Sequence, residues 1–325
     1  MEETVIGNSE SVEQLKKQIA KSAKGTKDLL LIGESGVGKG FVARRIHCGQ
    51  FGDTNDQHPF LSVNAALIDD RELEAVLFDF ETRVAGMPPT AKRGLFELCD
   101  NGSILIEEVE EASFLNQKKI LDFIRTRVTK RMGGGEGRTI NTRGILTVKR
   151  SPKELVSSQK LYAVLAAKLA DFEPITMMPL RDRPEDIPTL VKHFVTQNSS
   201  DLGIKDVVID INAIDALVKH PWKENIRELK AVIDKSILTA SGGQFVLPPA
   251  LTDEKSEIVK MINNIVSGRG PVLDSSLDVI EQGIIERALE RFGFNQSLAA
   301  SFLGMNEETL RNKLERLAIS SSSQR

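Results

Sequence analysis

Apolar and polar positions alternate on two different periods through the first half of this chain. Short apolar runs at 28–32 (DLLLI), Phe60 to Val63, Ile104 to Ile106 and Ile145 to Val148 are separated by 69–78, 92–100, 113–128 and 153–170, where apolar residues recur at helical spacing. Short buried-type strands alternating with helices predict an open parallel α/β sheet. Beyond about residue 175 the strand signal fades, and 184–198, 211–220 and 225–240 read as helices. Pro184, with Glu185 and Asp186 behind it, is an ordinary helix start. The glycine-, proline- and serine-bearing stretch after residue 240 reads as a linker, and three helical segments resume over 276–319. The predicted organisation is an α/β subdomain over 1–175, a helical subdomain over 176–241, a linker over 242–275 and a helical domain over 276–319.

Composition narrows the function classes. With 325 residues, 40% apolar and 27% charged, the chain is long enough for about two globular domains and is neither disordered nor fibrous. No window approaches a membrane span and the N-terminus has no apolar signal region, so a soluble, cytoplasmic protein without membrane contact is expected. Cys48 and Cys99 lie far apart and read as reduced packing residues. His47, His58, His193 and His220 are scattered without ligand spacing, which argues against a metalloenzyme built on histidine. A net charge of −3 gives no global sign of nucleic-acid binding, so any such function must come from a local site.

The strongest local chemistry is at 33–40. Gly33, Glu34, Ser35, Gly36, Val37, Gly38, Lys39 and Gly40 read GESGVGKG between a predicted strand and a predicted helix. Glycines let backbone N–H groups curl around phosphate oxygens, the helix N-terminus adds partial positive charge, and Lys39 reaches the terminal phosphates. The plain alternative is a glycine-rich turn carrying a surface lysine. Gly40 stands where a Ser or Thr hydroxyl would hold Mg²⁺, so the metal needs another anchor. Glu107, at the end of the strand SILIEEV, is the candidate, held through water, and Glu108 can polarise the attacking water. A solvated acidic turn is the alternative there, because Glu110 and Glu111 follow.

With these residues in place, the sequence resembles the sigma-54-dependent transcriptional activators, the bacterial enhancer-binding proteins of the nitrogen regulatory protein C type. The resemblance runs from about residue 5 to 319 through GESGVGKG, FLSVNAALI (60–68), GLFELCDNGSILIEEV (94–109), KRMGG (130–134), PLRDRPEDIP (179–188) and HPWKENIRELK (220–230). It implies a ring-forming AAA+ ATPase, an α/β P-loop parallel sheet with a helical lid subdomain, which remodels the sigma-54 holoenzyme. It also implies a C-terminal all-α helix-turn-helix of the factor-for-inversion-stimulation type; the family's usual N-terminal sensory domain is expected to be absent, because the phosphate-loop strand begins by residue 28. ATP and Mg²⁺ are the implied cofactors. Double-stranded DNA and further copies of the chain, as a dimer or hexameric ring, are the implied partners, with sigma-54 RNA polymerase holoenzyme or an intact family relative beside them. Residue by residue, it implies that Lys39 binds phosphate, Glu108 is the catalytic glutamate, Asn64 restrains that glutamate, and Arg227 is the sensor-II arginine facing the nucleotide.

Several positions depart from the family pattern. Glu107 replaces the usual aspartate and is one methylene longer. The sigma-contacting loop GAFTGA aligns onto Arg83 to Pro88 (RVAGMP), so no sigma-54 contact residue carries over. The paired trans-acting arginines fall at Tyr162 and Lys168, and the sensor-I pair falls at Val148 and Lys149. An arginine finger contributes about 10³ to 10⁵ in rate, so binding should outlast hydrolysis.

Near the C-terminus, NQSLAASFLGMNEETLRNKL has the shape of a helix-turn-helix, with Asn295 and Asn306 as N-caps and Gly304 in the turn. Asn306, Thr309, Arg311, Asn312 and Lys313 are the expected DNA-facing residues. Acidic residues outnumber basic ones over 271–325, so a helical dimerisation module is the rival reading of this segment. Three functions follow: a regulator that binds ATP and DNA with impaired hydrolysis, a fully active sigma-54 activator, or a non-DNA-binding protein that co-assembles with an intact relative. The first is the expectation.

Overall fold

Three apolar runs in the sequence are the inner strands of one five-stranded parallel sheet. The structure, a computed structural model, describes residues 4–52, 57–78, 80–82, 90–129, 137–202, 211–238, 278, 281–282, 284–286, 288–289, 292 and 294–317. They divide between two compact units, Met1–Leu247 and Pro248–Arg325. The segments 83–88, 130–134 and 242–275, to which the sigma-contact alignment, the KRMGG motif and the linker were assigned, lie outside the described residues.

In the first unit the sheet strands are β1 (Leu29–Ile32), β2 (Phe60–Asn64), β5 (Ser103–Glu107), β8 (Arg143–Val148) and β9 (Glu173–Thr176), ordered β2-β5-β8-β1-β9. Two short antiparallel pairs lie outside this sheet: β3 (Phe80–Thr82) with β4 (Thr90–Lys92), and β6 (Val128–Thr129) with β7 (Arg138–Thr139). β9 escapes the sequence pattern because EPIT is short and carries Pro174, a residue confined to sheet edges.

Alternation along each strand assigns side chains to two cores. Leu30, Ile104, Ile106, Leu146 and Val148 face one core, shared with Leu73 and Leu77 of α3 (Asp70–Leu77), Ile120 and Phe123 of α5 (Phe114–Thr126) and Leu165 and Leu169 of α7 (Ala163–Leu169). Leu29, Leu31, Leu105 and Ile145 face the other, shared with Leu15 of α1 (Glu10–Ala23) and with Val42 and Ile46 of α2 (Lys39–Phe51). Each such burial contributes about 1.5–3 kcal/mol. Both faces are covered, which is why these strands read as unbroken apolar runs. The remaining helices here are α4 (Leu95–Leu98) and α6 (Pro152–Ser157), so the single helix predicted over 153–170 is two, broken at 158–162.

The lid helices follow: α8 (Ile187–Leu202), α9 (Ile211–Lys219) and α10 (Asn225–Leu238). Trp222, fully buried ahead of α10, donates its indole N–H to the Leu217 carbonyl at 2.8 Å. Among the described residues no helix is long and apolar enough to cross a membrane.

The second unit holds helical residues between 278 and 289, then α11 (Gln296–Phe302) and α12 (Glu307–Arg316). Its core is Ile285, Ala288, Leu289, Ala299, Ala300, Leu310 and Leu314. Asn295 caps α11 by accepting the Leu298 N–H at 3.0 Å, and Asn306 accepts the Thr309 N–H at 2.7 Å. Gly304, at φ 71°, makes the turn between these helices in a conformation other residues rarely adopt.

Candidate functional site

The register pairs Ile32 with Val148 and Ile106 with Leu146, so the C-terminal ends of β1, β5 and β8 open at one edge of the sheet. Such edges present ligand groups in open α/β sheets. The loop 33–38 leaves β1 there, anchored by a hydrogen bond from the Gly33 N–H to the Val148 carbonyl at 3.0 Å. Gly36 and Gly38 have φ of 77° and 102°. A Cβ at Gly36 would lie 1.9 Å from the Glu224 carbonyl oxygen, so the close approach of loop and lid requires glycine there.

Lys39 begins α2 and is buried, donating to the carbonyls of Gly33 at 2.7 Å and Glu34 at 2.9 Å. Burial pushes its pKa below the ordinary lysine value, against the pull of Glu108, Glu110 and Glu107. Val37 is buried in the core beside α2. Glu34 is clamped by Arg181 through two bonds of 2.7 and 2.6 Å, and that guanidinium holds its carboxyl below the usual range.

Glu107 ends β5 and faces Gly40: a Cβ at residue 40 would lie 3.5 Å from both carboxylate oxygens. Burial raises the Glu107 pKa, opposed by Lys39. Glu108 follows in a left-handed conformation, φ 53° and ψ 49°, with its N–H given to the buried Thr147 hydroxyl at 3.0 Å. Its carboxylate accepts from the Ser35 hydroxyl at 3.3 Å and pairs with Lys149 at 3.1 Å.

The structure does not join Asn64 to Glu108. Asn64 Oδ1 accepts the Ala66 N–H at 2.8 Å, an Asx turn at the end of β2, while the contacts that Glu108 makes are with Ser35 and Lys149. Arg227 does reach the loop: its guanidinium donates to the Ser35 hydroxyl at 3.2 Å and its N–H to the Gly36 carbonyl at 3.3 Å. Lys168 pairs with Asp171 at 3.0 Å, while Tyr162 lies beneath the Lys118 ammonium, 5.3 Å from the ring centroid.

Three contributors were not singled out from the sequence, and a fourth, Lys149, was aligned there only with the sensor-I position. Asn225, buried at φ 54°, donates to the Ser35 carbonyl at 2.9 Å and accepts the Leu180 N–H at 2.8 Å. Arg181 clamps Glu34, Thr147 orients Glu108, and Lys149 holds it. Arg181 and Asn225 stand inside PLRDRPEDIP and HPWKENIRELK, so the motifs contained the signal, but their partner is the loop far upstream.

On α12, Arg311 and Asn312 are exposed, Thr309 is half-buried, and the Asn306 side chain is spent on its cap. Lys313, expected to face DNA, is half-buried and ion-paired with Glu281. Arg316 pairs with Asp278 at 3.0 Å and with Glu281.

A parallel sheet with a phosphate-type loop, an acidic strand end and a helical lid reaching back to the loop defines the AAA+ class of P-loop proteins. The Sigma-54 interaction domain matches residues 5–173, the AAA+ ATPase lid domain residues 181–259, and the Fis family of bacterial regulatory proteins residues 276–317. The transcriptional regulatory protein XylR of Pseudomonas putida is 29% identical over 96% of this chain and 56% of its own length. The regulatory protein AtoC of Escherichia coli K12 is 30% identical over 97% of this chain and 68% of its own. A crystal structure of NtrX from Brucella abortus in complex with ATP is similar at a TM-score of 0.67 and 27% identity, covering 98% of this chain and 70% of that one. The chain belongs to the sigma-54-dependent activator family. It spans only part of these relatives, a little over half of XylR.

Proposed function

We propose that this chain is a DNA-binding transcription regulator whose AAA+ unit binds ATP to assemble with further copies of itself and turns the nucleotide over slowly. The division into 1–175, 176–241, 242–275 and 276–319, and a cytoplasmic location, belong to the same reading. The observation that carries it is the phosphate loop, with Lys39 already turned onto the loop's own carbonyls and Arg227 of the lid on Ser35. Lys39 and the loop N–H groups of 34–40 would hold the ATP phosphates, the helix N-terminus favouring the negative charge. Arg227 is placed to close the lid over them.

Mg²⁺ fits this site through a size exchange. Gly40 offers no hydroxyl, and the longer Glu107 side chain brings a carboxylate within 3.5 Å of where a residue-40 Cβ would be. Glu107 would therefore hold the ion, a hard cation suited to carboxylate oxygen, which when bound neutralises charge on the phosphates.

Slow turnover is supported by three features. Glu108 is engaged by Lys149, the Lys168 ammonium is engaged by Asp171, and Tyr162 brings no charge to the other trans-acting position. Without an arginine finger, roughly 10³ to 10⁵ in rate is lost, whereas ground-state phosphate contacts survive. At the other end, the exposed Arg311 and Asn312 of α12 are the candidate base-reading residues, with Asn306 and Thr309 setting the helix start.

Steady-state ATP hydrolysis across protein concentrations, beside nucleotide affinity and with Glu108→Gln as the control, tests the reading. Micromolar binding with negligible turnover is expected. Turnover that rises cooperatively with concentration and vanishes in the variant identifies a live motor instead, and then open-complex formation with sigma-54 holoenzyme is the decisive assay. Failure to bind any DNA fragment while still assembling would favour a co-assembling protein.

A further inference from the structure

A cavity of about 570 Å³ opens between β1, β9, α6 and α7, on the face of the sheet away from α2. Leu30, Leu169 and Phe172 are buried and form its floor, in the core shared with α7, whereas Val37 of the phosphate loop belongs to the opposite core. The space exists because α7 and its C-terminal end turn only the methyl groups of Ala166, Ala167 and Ala170 toward it. Close-packed interiors hold few voids larger than a water molecule, and a space of this size falls instead among small-molecule sites, about 300–1,000 Å³. Lys153 of α6 is the one charged residue lining it among the described residues. Its side chain is exposed, and its ammonium has no acidic partner among them.

We propose that this cavity binds a small apolar monocarboxylate, its hydrocarbon against β1, β9 and α7 and its carboxylate at Lys153. The lining offers no hydrogen-bonding side chain besides Lys153, so a polar group anywhere else on the ligand would be buried without a partner. Lysine suits the rim, because its apolar stem can lie along the wall while the ammonium stays in water beside the carboxylate. A hydrocarbon in the cavity supplies the dispersion contacts that the three alanines leave unmade. The site does not depend on the nucleotide reading. It is nevertheless close to that machinery, since β1 runs directly into Gly33 and α7 carries Lys168.

The test is calorimetric titration of the full chain, without nucleotide, with decanoate and naphthylacetate, one chain-like and one ring-shaped, and with decanol as the uncharged match. Wild type is expected to bind at least one of the acids saturably, at one site per chain. Lys153→Gln should weaken that acid about three- to fivefold, the effect of one exposed ion pair, and leave decanol unchanged. Ala167→Leu combined with Ala170→Leu adds bulk at two exposed positions of the lining, and should weaken acid and alcohol alike by about tenfold. Acid binding that ignores the paired leucines, or a Lys153→Gln effect equal on acid and alcohol, overturns the proposal. Wild-type protein that binds neither acid overturns it too. If the paired leucines then shift the sedimentation profile, a second copy of the chain covers this face instead.

Discussion

The phosphate-loop edge and the exposed face of α12 are built on opposite plans. At the loop, Lys39, Glu34, Glu108 and Arg227 each already have a partner, and the backbone carbonyls and N–H groups do much of the holding. On α12, the basic groups nearest the preceding helical segment, Lys313 and Arg316, are spent on Glu281 and Asp278, while Arg311 and Asn312 stand in solvent. A pre-organised cradle concentrates affinity in few atoms, since little ordering entropy is lost on binding. An exposed helix face spreads it over side chains that must each be ordered by the ligand. The two sites should therefore respond very differently to single substitutions.

Lys39→Ala is the severest test of that contrast. It removes the buried ammonium proposed to hold phosphate, where charge-assisted bonds contribute about 1.5–3 kcal/mol each, so ATP affinity should fall about 100-fold. DNA affinity of the same variant should stay within about twofold by these contact terms. Parallel losses in fluorescence titrations of both ligands would show that assembly couples the sites, and the contrast would fail.

Next in size is the exchange between Gly40 and Glu107. Serine at 40 would set a hydroxyl against the Glu107 carboxylate, whose oxygens lie 3.5 Å from where its Cβ would be, and aspartate at 107 would withdraw that carboxylate from the space glycine leaves. Each single change, Gly40→Ser or Glu107→Asp, should weaken Mg²⁺-dependent ATP binding about tenfold, and the double variant should recover most of it, the mark of coupled neighbours. ATP affinity measured against Mg²⁺ concentration reads this directly. Strictly additive losses would mean that the two departures are unrelated.

Much of this site was legible in the sequence because its signals are local. GESGVGKG specifies its loop by spacing alone, the unbroken runs LLLI and SILIE announce doubly covered strands, and Asn295 and Asn306 cap the helices that follow them. What stayed hidden depends on pairs distant in the chain. Asn225 meets Ser35 across 190 residues and Thr147 meets Glu108 across 39, and neither residue carries a mark of its partner. Asn64 is held locally, its oxygen accepting the Ala66 N–H, while its amide NH2 is the group that could donate to a carboxylate. The helix α1 was missed as well, although Ser9 caps it by accepting the Val12 N–H at 3.3 Å.

On α12 the expected effects are smaller and graded. Arg311→Ala should cost about 1–3 kcal/mol of DNA affinity and relax sequence preference at one base position, whereas Lys313→Ala should change affinity only about twofold. Competitive gel-shift assays across a range of salt concentrations distinguish them. A large loss for Lys313→Ala, with a salt slope lowered by about one, would show that DNA draws the lysine away from Glu281.

The smallest effect concerns that same ion pair. The Lys313 ammonium holds the Glu281 carboxyl below its ordinary range, helped by Arg316. A carboxyl whose folded pKa is depressed contributes stability in full above its unfolded value of about 4.3, and that contribution disappears as pH falls through the folded pKa. The pair stays partly exposed to solvent, so the contribution is well under 1 kcal/mol and weakens further in salt. The protection of the α12 amides, taken relative to their intrinsic exchange rates at each pH, should therefore fall below about pH 4 in wild type, and Glu281→Gln should show the lower protection already at neutral pH with a flatter dependence. Identical profiles for the two proteins would mean that Lys313 has no lasting partner and is as available to phosphate as Arg311, which removes half of the contrast between the two sites.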